Sequence, residues 1–296
     1  MKYLYYPGCS LEGTAKEYDI SVRAVLESLG AELVELKDWS CCGASAAEAV
    51  SSLLSLSLPA VNLAIAETMD GSKDLLVPCS ACYLNLKKVE EKTRADPDLR
   101  NLLNQILEEK SIRLKGMIRV RHLLDVMARD IGPGPIRQGL KRSLHGLSVA
   151  PYYGCQCLRP YAVFDDPEVP RSMAPLIEAT GAAVYPWHMG GKCCGASNMN
   201  TKTEVAVQLV AEILKAGRNA DVIVTVCPMC QMNLEGYQKL VSKAGGRDLS
   251  KPVLYLPQLI GLAMGMPADL LGLGMNLSPA GEFLLRLNSN PARAVA

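Results

Sequence analysis

The chain has 296 residues, which is enough for two domains that each bury a core. Its 31 Lys and Arg residues balance 30 Asp and Glu residues, so a net charge of +1 supplies no strong field for nucleic acid or anionic membranes. The N-terminus lacks a basic stretch followed by a long apolar run, so we expect no secretory signal and a cytoplasmic protein.

Along the chain, short apolar runs that predict strands alternate with runs whose apolar residues recur every three or four positions, which predict helices. The predicted strands are residues 3–6, 32–36, 75–77, 147–153, 183–186 and 222–226. The predicted helices are residues 18–29, 49–66, 102–107, 118–127, 205–216 and 257–264. Residues 49–66 are uncharged but contain Ser, Pro and Asn, so we expect a buried helix there and no transmembrane segment. The alternation predicts an α/β fold with parallel sheets.

The second half of the chain repeats the first. The sequence CCGAS at 41–45 recurs letter for letter at 193–197, and CSAC at 79–82 returns as CPMC at 227–230. YYPGC at 5–9 corresponds to YYGC at 152–155, and Asn-Leu follows each CxxC pair. A duplication explains these matches. We predict two Rossmann-like domains over 1–131 and 147–296, with a linker over 132–146 where Gly-Pro-Gly-Pro should break both helix and strand.

Eleven cysteines in a chain without a secretory signal point to metal ligands or redox thiols. Each half has a single cysteine, an adjacent pair and a CxxC pair, in the same order. These ten are Cys9, Cys41, Cys42, Cys79 and Cys82, then Cys155, Cys193, Cys194, Cys227 and Cys230. Each group follows a predicted strand, and ligands of parallel sheets collect at the carboxyl ends of strands. We therefore expect five sulfurs to meet at one point in each domain.

Thiolates select zinc, copper(I) or iron–sulfur clusters. A structural zinc takes four ligands, usually from two short pairs, and a cubane cluster also takes four thiolates. Five sulfurs per half exceed both needs, so the count hints at an unusual cluster. Zinc remains the alternative. A lone CxxC pair would suit a thioredoxin-like redox site, but the return of all five cysteines in the same order favours cluster ligation.

A few further residues lie close to these cysteines. Cys157 has no counterpart in the first half, and we interpret it as a non-ligand thiol. Gly43 and Gly195 suit either close backbone approach beside the paired sulfurs or an ordinary turn. His188 precedes Cys193 by five residues and is a candidate proton donor, although a structural role is favoured for each histidine.

The repeated pattern of Cys, Cys-Cys-Gly and Cys-x-x-Cys resembles the CCG domains in the B subunit of heterodisulfide reductase. The resemblance covers nearly the whole chain, including YYGCQ at 152–156 and LPQLIG at 256–261. It implies one noncubane [4Fe-4S] cluster on the five cysteines of each half, and reduction of an organic disulfide to two thiols.

The resemblance also implies partner subunits. The chain has no CxxCxxCxxxC run and no flavin or nicotinamide loop, so it needs another route for its electrons. In the family, a ferredoxin-like C subunit and a flavin-containing A subunit supply that route. The substrate would be a small-molecule or protein-bound disulfide or thiol.

Two other functions remain open. Some CCG relatives take part in lactate or glycolate oxidation, in quinone-linked succinate and fumarate chemistry, or in sulfur oxidation. A noncatalytic zinc-binding scaffold is a different class, and it predicts a colourless protein with zinc and no iron. The sequence leaves the direction of electron flow, the substrate and the oligomeric state open.

Overall fold

The computed structural model describes residues 1–44, 46–278 and 280–288. Ser45 of the first CCGAS motif, Pro279 and the end of the predicted second domain, residues 289–296, lie outside the described residues. Within the described ranges, no helix combines the length and the apolar character that crossing a bilayer requires. The uncharged stretch 49–66 instead forms the end of one helix and most of a second, largely buried one.

Each half contains a four-stranded, fully parallel sheet, which confirms the predicted Rossmann-like α/β architecture. The strand orders are β2-β1-β3-β4 and β6-β5-β7-β8. The strands are β1 (Lys2–Tyr5), β2 (Glu32–Glu35), β3 (Asp74–Val77), β4 (Arg119–His122), β5 (Ser148–Tyr152), β6 (Ala183–Val184), β7 (Val222–Thr225) and β8 (Val253–Tyr255). The central strands are almost entirely buried, as expected when helices cover both faces of a parallel sheet.

Helices connect the strands and cover the sheets. The helices of the first half are α1 (Gly8–Glu12), α2 (Lys16–Ser28), α3 (Ala46–Val50), α4 (Ser52–Thr68), α5 (Ser80–Ala95), α6 (Pro97–Leu107), α7 (Leu123–Val126) and α8 (Pro133–Gln138). Those that follow are α9 (Ala174–Ala179), α10 (Thr203–Ala216), α11 (Pro228–Gly236), α12 (Gln238–Gly245), α13 (Leu256–Ala263) and α14 (Ala280–Asn288). A π-helical turn follows α7 at Met127–Ile131, and short 3₁₀ turns lie at Glu108–Lys110, Ala196–Asn198, Asp269–Leu271 and Leu273–Met275.

The predicted helix over residues 118–127 is wrong in its first half. Residues Arg119–His122 form β4, which pairs in parallel with β3, and helix α7 begins only at Leu123. Two arginines make this strand look like an exposed segment in the sequence. In the structure both are paired, Arg119 with Asp74 and the buried Arg121 with Asp125 and Asp130. The sequence also fails to predict strand β8, although it does predict the helix that follows. It has three residues and runs directly into α13.

The expected break at residues 132–135 is only partly correct. Gly132 has a positive φ of 70° and ends the preceding π-helical turn. Pro133 then begins α8, because proline fits the first turn of a helix, where its missing N–H leaves no bond unmade. The expected linker 132–146 thus contains a short helix. The domain boundaries themselves stay a prediction.

One apolar core extends through both halves. It joins Leu4, Val22 and Val77 of the first half to Val224 and Leu256 of the second. The packing is reciprocal: α2 packs against α13, and α9 packs against the segment after α7. Tyr18 on α2 also stacks on Tyr255, with ring centroids 4.0 Å apart. The two repeats are therefore fixed to each other.

Candidate metal centre

The ten repeated cysteines lie at the carboxyl ends of the strands, as predicted. In the first half, Cys9 lies in α1 directly after β1, the adjacent pair follows β2, and Cys79 follows β3. The second half places its cysteines in the same way after β5, β6 and β7. In a doubly wound sheet, the order of the strands reverses between two neighbouring strands. Ligands bind in the crevice that forms there, outside the carboxyl ends of the strands.

In the first half the sulfurs are in contact. The Sγ atoms of Cys41 and Cys9 are 3.6 Å apart, and those of Cys42 and Cys82 are 3.3 Å apart. Cys79 completes the group beside Cys82. The site runs from the surface inward, because Cys9 and Cys41 are exposed whereas the other three are buried.

The second half repeats this arrangement. The Sγ atoms of Cys194 and Cys230 are 3.5 Å apart, Cys155 contacts Cys193, and Cys227 contacts Cys230.

In both halves, the backbone N–H of the glycine after the adjacent cysteines donates to the sulfur of the first cysteine of that pair. Gly43 donates to Cys41 Sγ at 3.5 Å, and Gly195 donates to Cys193 Sγ at 3.3 Å.

Hydrogen bonds between neighbouring sulfurs lower the pKa of some of these thiols. Hydrogen bonding with Cys41 and then with Cys82 lowers the pKa of Cys42 to about 4. In the second half, donation from Cys155 lowers the pKa of Cys193 to about 6, and donation from Cys230 lowers that of Cys227 to about 6. Five adjoining sulfurs cannot all ionise unless a cation offsets their repulsion, so full deprotonation is linked to metal binding.

The N-termini of two helices also favour the thiolate form of the cysteines. Cys79 is the N-cap of α5 and Cys227 is the N-cap of α11, so each helix begins inside its CxxC pair. Unpaired N–H groups and the positive end of the helix dipole favour thiolate over thiol. Each helix starts one position after the first cysteine of its pair.

Glycines make room for the sulfurs in both halves. Gly8 and Gly154 have φ values of 72° and 70°, and a Cβ on either would lie 2.9 Å from the sulfur of Cys82 or Cys230. Such positive φ values disfavour residues with a side chain. The two glycines therefore form matching cradles that a single methyl group would fill.

Two pairs of side chains fix the loops that carry the adjacent cysteines. Tyr6 O–H donates to the carbonyl of Ser40, and Tyr152 O–H donates to that of Lys192, each at 2.7 Å and each just before the pair. Asn85 Nδ2 donates to the carbonyl of Cys42 at 3.1 Å, and Asn233 Nδ2 to that of Cys194 at 2.9 Å. The tyrosines also show that Tyr6, one position before Pro7-Gly8, is the structural equivalent of Tyr152.

The remaining candidates have different environments. Cys157 is buried, and its S–H donates to the carbonyl of Tyr153 at 3.2 Å, which suits a neutral thiol. His188 is exposed in the loop leading to Cys193, and its role as proton donor stays a prediction. His122, for which the sequence favours a structural role, lies fully buried at the end of β4 with Nε2 3.1 Å from Ser80 Oγ.

A cavity of about 380 Å³ lies between the halves and is lined by sequence neighbours of cysteines from both groups. It is lined by Ala44, Glu48, Leu84, Asn85 and Lys88 of the first half and by Gln156, Pro160, Tyr161 and Ser197 of the second. A larger cavity of about 720 Å³ lies at the opposite edge of the second sheet, where Leu147, Asp221 and Pro252 precede strands. We favour the smaller cavity as a substrate site, because ligands of parallel sheets bind at the carboxyl edge.

The donor set fits an iron–sulfur cluster better than a single ion. Each site offers five thiols, which is one more than a structural zinc takes and is the soft donor set that iron–sulfur clusters use. The Gly8 and Gly154 cradles and the N–H groups directed at sulfur are consistent with that assignment.

Residues 3–87 and 149–235 both match the cysteine-rich domain model called CCG. The chain therefore belongs to the CCG family of cysteine-rich proteins, and its relatives include B subunits of heterodisulfide reductase. One is a protein of Archaeoglobus profundus that is like these B subunits, 30% identical over 98% of this chain and 99% of that protein. Another is the B subunit of a ferredoxin/F420H2-dependent CoB-CoM heterodisulfide reductase of Methanosarcina acetivorans, 29% identical over 97% of each chain.

A further relative has a different role. The 8-methylmenaquinol:fumarate reductase membrane anchor subunit of Wolinella succinogenes is 35% identical over 94% of this chain and 98% of that protein. A hypothetical protein from Helicobacter pylori shares the fold, with a TM-score of 0.77 and 18% identity over 94% of this chain and 52% of that one. Together the relatives indicate an iron–sulfur oxidoreductase subunit that works within a larger complex.

Proposed function

We propose that this protein is the catalytic subunit of a heterodisulfide reductase-like complex and reduces an organic disulfide to two thiols. The observation that carries the proposal is the pair of complete five-cysteine groups, one in each half, with a cavity between the halves that sequence neighbours of both groups line. Cleaving a disulfide consumes two electrons and two protons and releases two thiols. Two noncubane [4Fe-4S] clusters, one on each group of five cysteines, would supply the electrons one at a time.

The residues around the cavity have separable tasks in this proposal. Asn85 contacts both the cavity and the carbonyl of Cys42, so it connects the substrate site to the first cysteine loop. Lys88, paired with Glu48 at 2.7 Å, and Tyr161 supply polar groups that orient a substrate. His188 is the proposed source of a proton for a departing thiolate. Partner subunits, a ferredoxin-like C subunit and a flavin-containing A subunit, would deliver the electrons.

The test is electron paramagnetic resonance on protein purified without oxygen, then oxidised with and without a candidate thiol. A thiol-dependent signal that disappears in Cys42→Ser and Cys194→Ser, together with disulfide turnover, is the expected result. Cys157→Ser is the matched control, since it is a buried thiol outside the two groups, and it should retain iron. Full turnover in either of the first two variants would refute the assignment of the clusters to catalysis.

A second candidate is an electron-transfer subunit of a quinol-linked reductase. It is favoured by the identity of 35% with the Wolinella succinogenes subunit over nearly the whole of both chains. In this case the clusters would be reduced by quinol within the complex, and thiols would leave the paramagnetic signal unchanged. The same experiment therefore separates the two candidates.

A further inference from the structure

The two halves differ in the stretch between the single cysteine and the adjacent pair. In the first half, helices α1 and α2 occupy this stretch. The second half has a loop over residues 156–173, followed by the short helix α9. The loop directly follows Cys155, and Arg159 within it contacts the segment that leads to Cys193. The surroundings of the second cysteine site are therefore not a copy of those of the first.

Arg159 joins two cysteine segments of the second half. Its backbone N–H donates to the carbonyl of Cys155 at 2.9 Å. Its guanidinium Nη2 donates to the carbonyl of Gly191, which lies two residues before Cys193, at 2.5 Å. One residue thus connects the segment of the single cysteine to the segment of the adjacent pair.

The same guanidinium also binds the loop. Its Nη1 donates to the carbonyl of Pro167 at 3.0 Å and pairs with Glu168 at 2.9 Å. A guanidinium is planar and holds its donors in a fixed fork, so the bonds to Pro167 and Gly191 together set its orientation. Both of these bonds are partly buried, which strengthens them relative to bonds in water.

Further hydrogen bonds hold the loop in its conformation. The carboxylate of Asp165 accepts from the backbone N–H groups of Arg171 and Ser172, at 2.9 and 2.7 Å. At the end of the loop, the N–H of Met173 donates to the hydroxyl oxygen of Tyr153 at 3.0 Å. The loop is therefore a well-ordered support for the guanidinium.

The first half has a glycine where the second half has Arg159. The backbone N–H of Gly13 donates to the carbonyl of Cys9 at 3.1 Å, which is the same contact that Arg159 makes with Cys155. Glycine has no side chain, so this position cannot tie Cys9 to its adjacent pair. Cys9 is also exposed, whereas Cys155 is partly buried. The two sites share their ligands but not the support around them.

We propose that Arg159 is a positioning residue that holds Cys155 and Cys193 together around their metal, so that the second site releases metal more slowly than the first. This inference rests on the metal binding in the proposed function and not on its reaction. A metal held by several thiolates leaves only when the ligands separate, and Arg159 opposes that separation in the second site.

The test is a chelator time course on the metal-loaded protein without oxygen, with iodoacetamide present and the labelled cysteines identified by mass spectrometry. In the unmodified protein, we expect Cys155 and Cys193 to be labelled more slowly than Cys9 and Cys41. Arg159→Gln should accelerate labelling of Cys155 and Cys193 by roughly tenfold or more, as expected for a residue that orients metal ligands. Labelling of Cys9 and Cys41 should stay unchanged.

Two control variants separate the contact with Gly191 from other effects. Glu168→Gln removes the ion pair but keeps the donors of Arg159, so we expect rates to change by less than about threefold, as for other exposed pairs. Arg129→Gln removes a second arginine that binds the same loop, since Arg129 donates to the carbonyl of Val163 at 2.9 Å. It should leave the labelling rates unchanged.

Arg159→Lys tests the geometry of the guanidinium. It keeps the charge but loses the fork of donors, so we expect an intermediate acceleration at the same two cysteines. This variant also carries the test if Arg159→Gln does not fold. Cys157 reports opening of the whole fold, because it is buried and lies outside both groups. Its labelling should stay slow in each variant.

Equal acceleration at both sites, or labelling of Cys157 in step with Cys155, would overturn the inference, because Arg159 would then only stabilise the fold. Unchanged rates in Arg159→Gln would also overturn it. Zinc in place of iron would overturn the proposed function, whereas an Arg159-dependent slow release from the second site would still support the inference. A protein that binds no metal would overturn both. Metal content, measured first, therefore distinguishes these failures.

Discussion

At the scale of single residues, the glycine cradles show most clearly how the backbone is adapted to sulfur. Gly8→Ala forces both an unfavourable φ and a Cβ 2.9 Å from Cys82 Sγ. We expect the unfolding free energy to fall by more than about 2 kcal/mol. About half of the iron should also be lost, since only the first site is affected. Iron content and chemical denaturation measure the two effects.

Gly30 provides the control for this prediction. Its φ is 79°, yet a Cβ there would meet nothing within 4 Å. Gly30→Ala should therefore show only the cost of the φ value, about 1 kcal/mol, with full iron content. If Gly30→Ala lost as much iron as Gly8→Ala, backbone strain and not contact with the sulfur would be the cause.

At the scale of elements, α5 both supplies cysteines and holds the neighbouring loop in place. Asn85→Ala removes the donor to the carbonyl of Cys42. We expect a loss of about 1–2 kcal/mol and faster release of iron from the first site to a chelator, because the loop is released. Asn101→Ala, at an exposed position on α6, is the control and should change neither. Unchanged iron release in Asn85→Ala would contradict the role given to α5.

The elements also show what a sequence can and cannot reveal. The repeat predicts the strands around the cysteines, and the Asn-Leu after each CxxC pair already points to Asn85 and Asn233. Strand β4 escapes prediction because its two arginines are typical of an exposed segment, while Asp74, the partner of Arg119, is 45 residues away in sequence. The contacts of Tyr18 and Ser80 with Val226 also join residues of different halves, which no local pattern encodes.

At the scale of the whole molecule, the shared core predicts that the two repeats unfold together. Tyr18→Phe leaves the carbonyls of Val226 and Pro78 without this donor, so we expect a loss of about 1–3 kcal/mol. Tyr185→Phe is the control, because its hydroxyl contacts only the Ala216 carbonyl, at 3.4 Å, within the second half, and it should cost less. Thermal unfolding followed by absorbance and circular dichroism should give one coincident transition in each protein. Two separate transitions in the unmodified protein would contradict a shared core.

We propose that each half binds an iron–sulfur cluster on its five cysteines. The most direct measurement is the iron, sulfide and zinc content of protein purified without oxygen, together with its visible absorption spectrum. We expect about eight irons and eight sulfides per chain and a coloured protein. Stoichiometric zinc without iron, in a colourless protein, would contradict it and leave a structural scaffold.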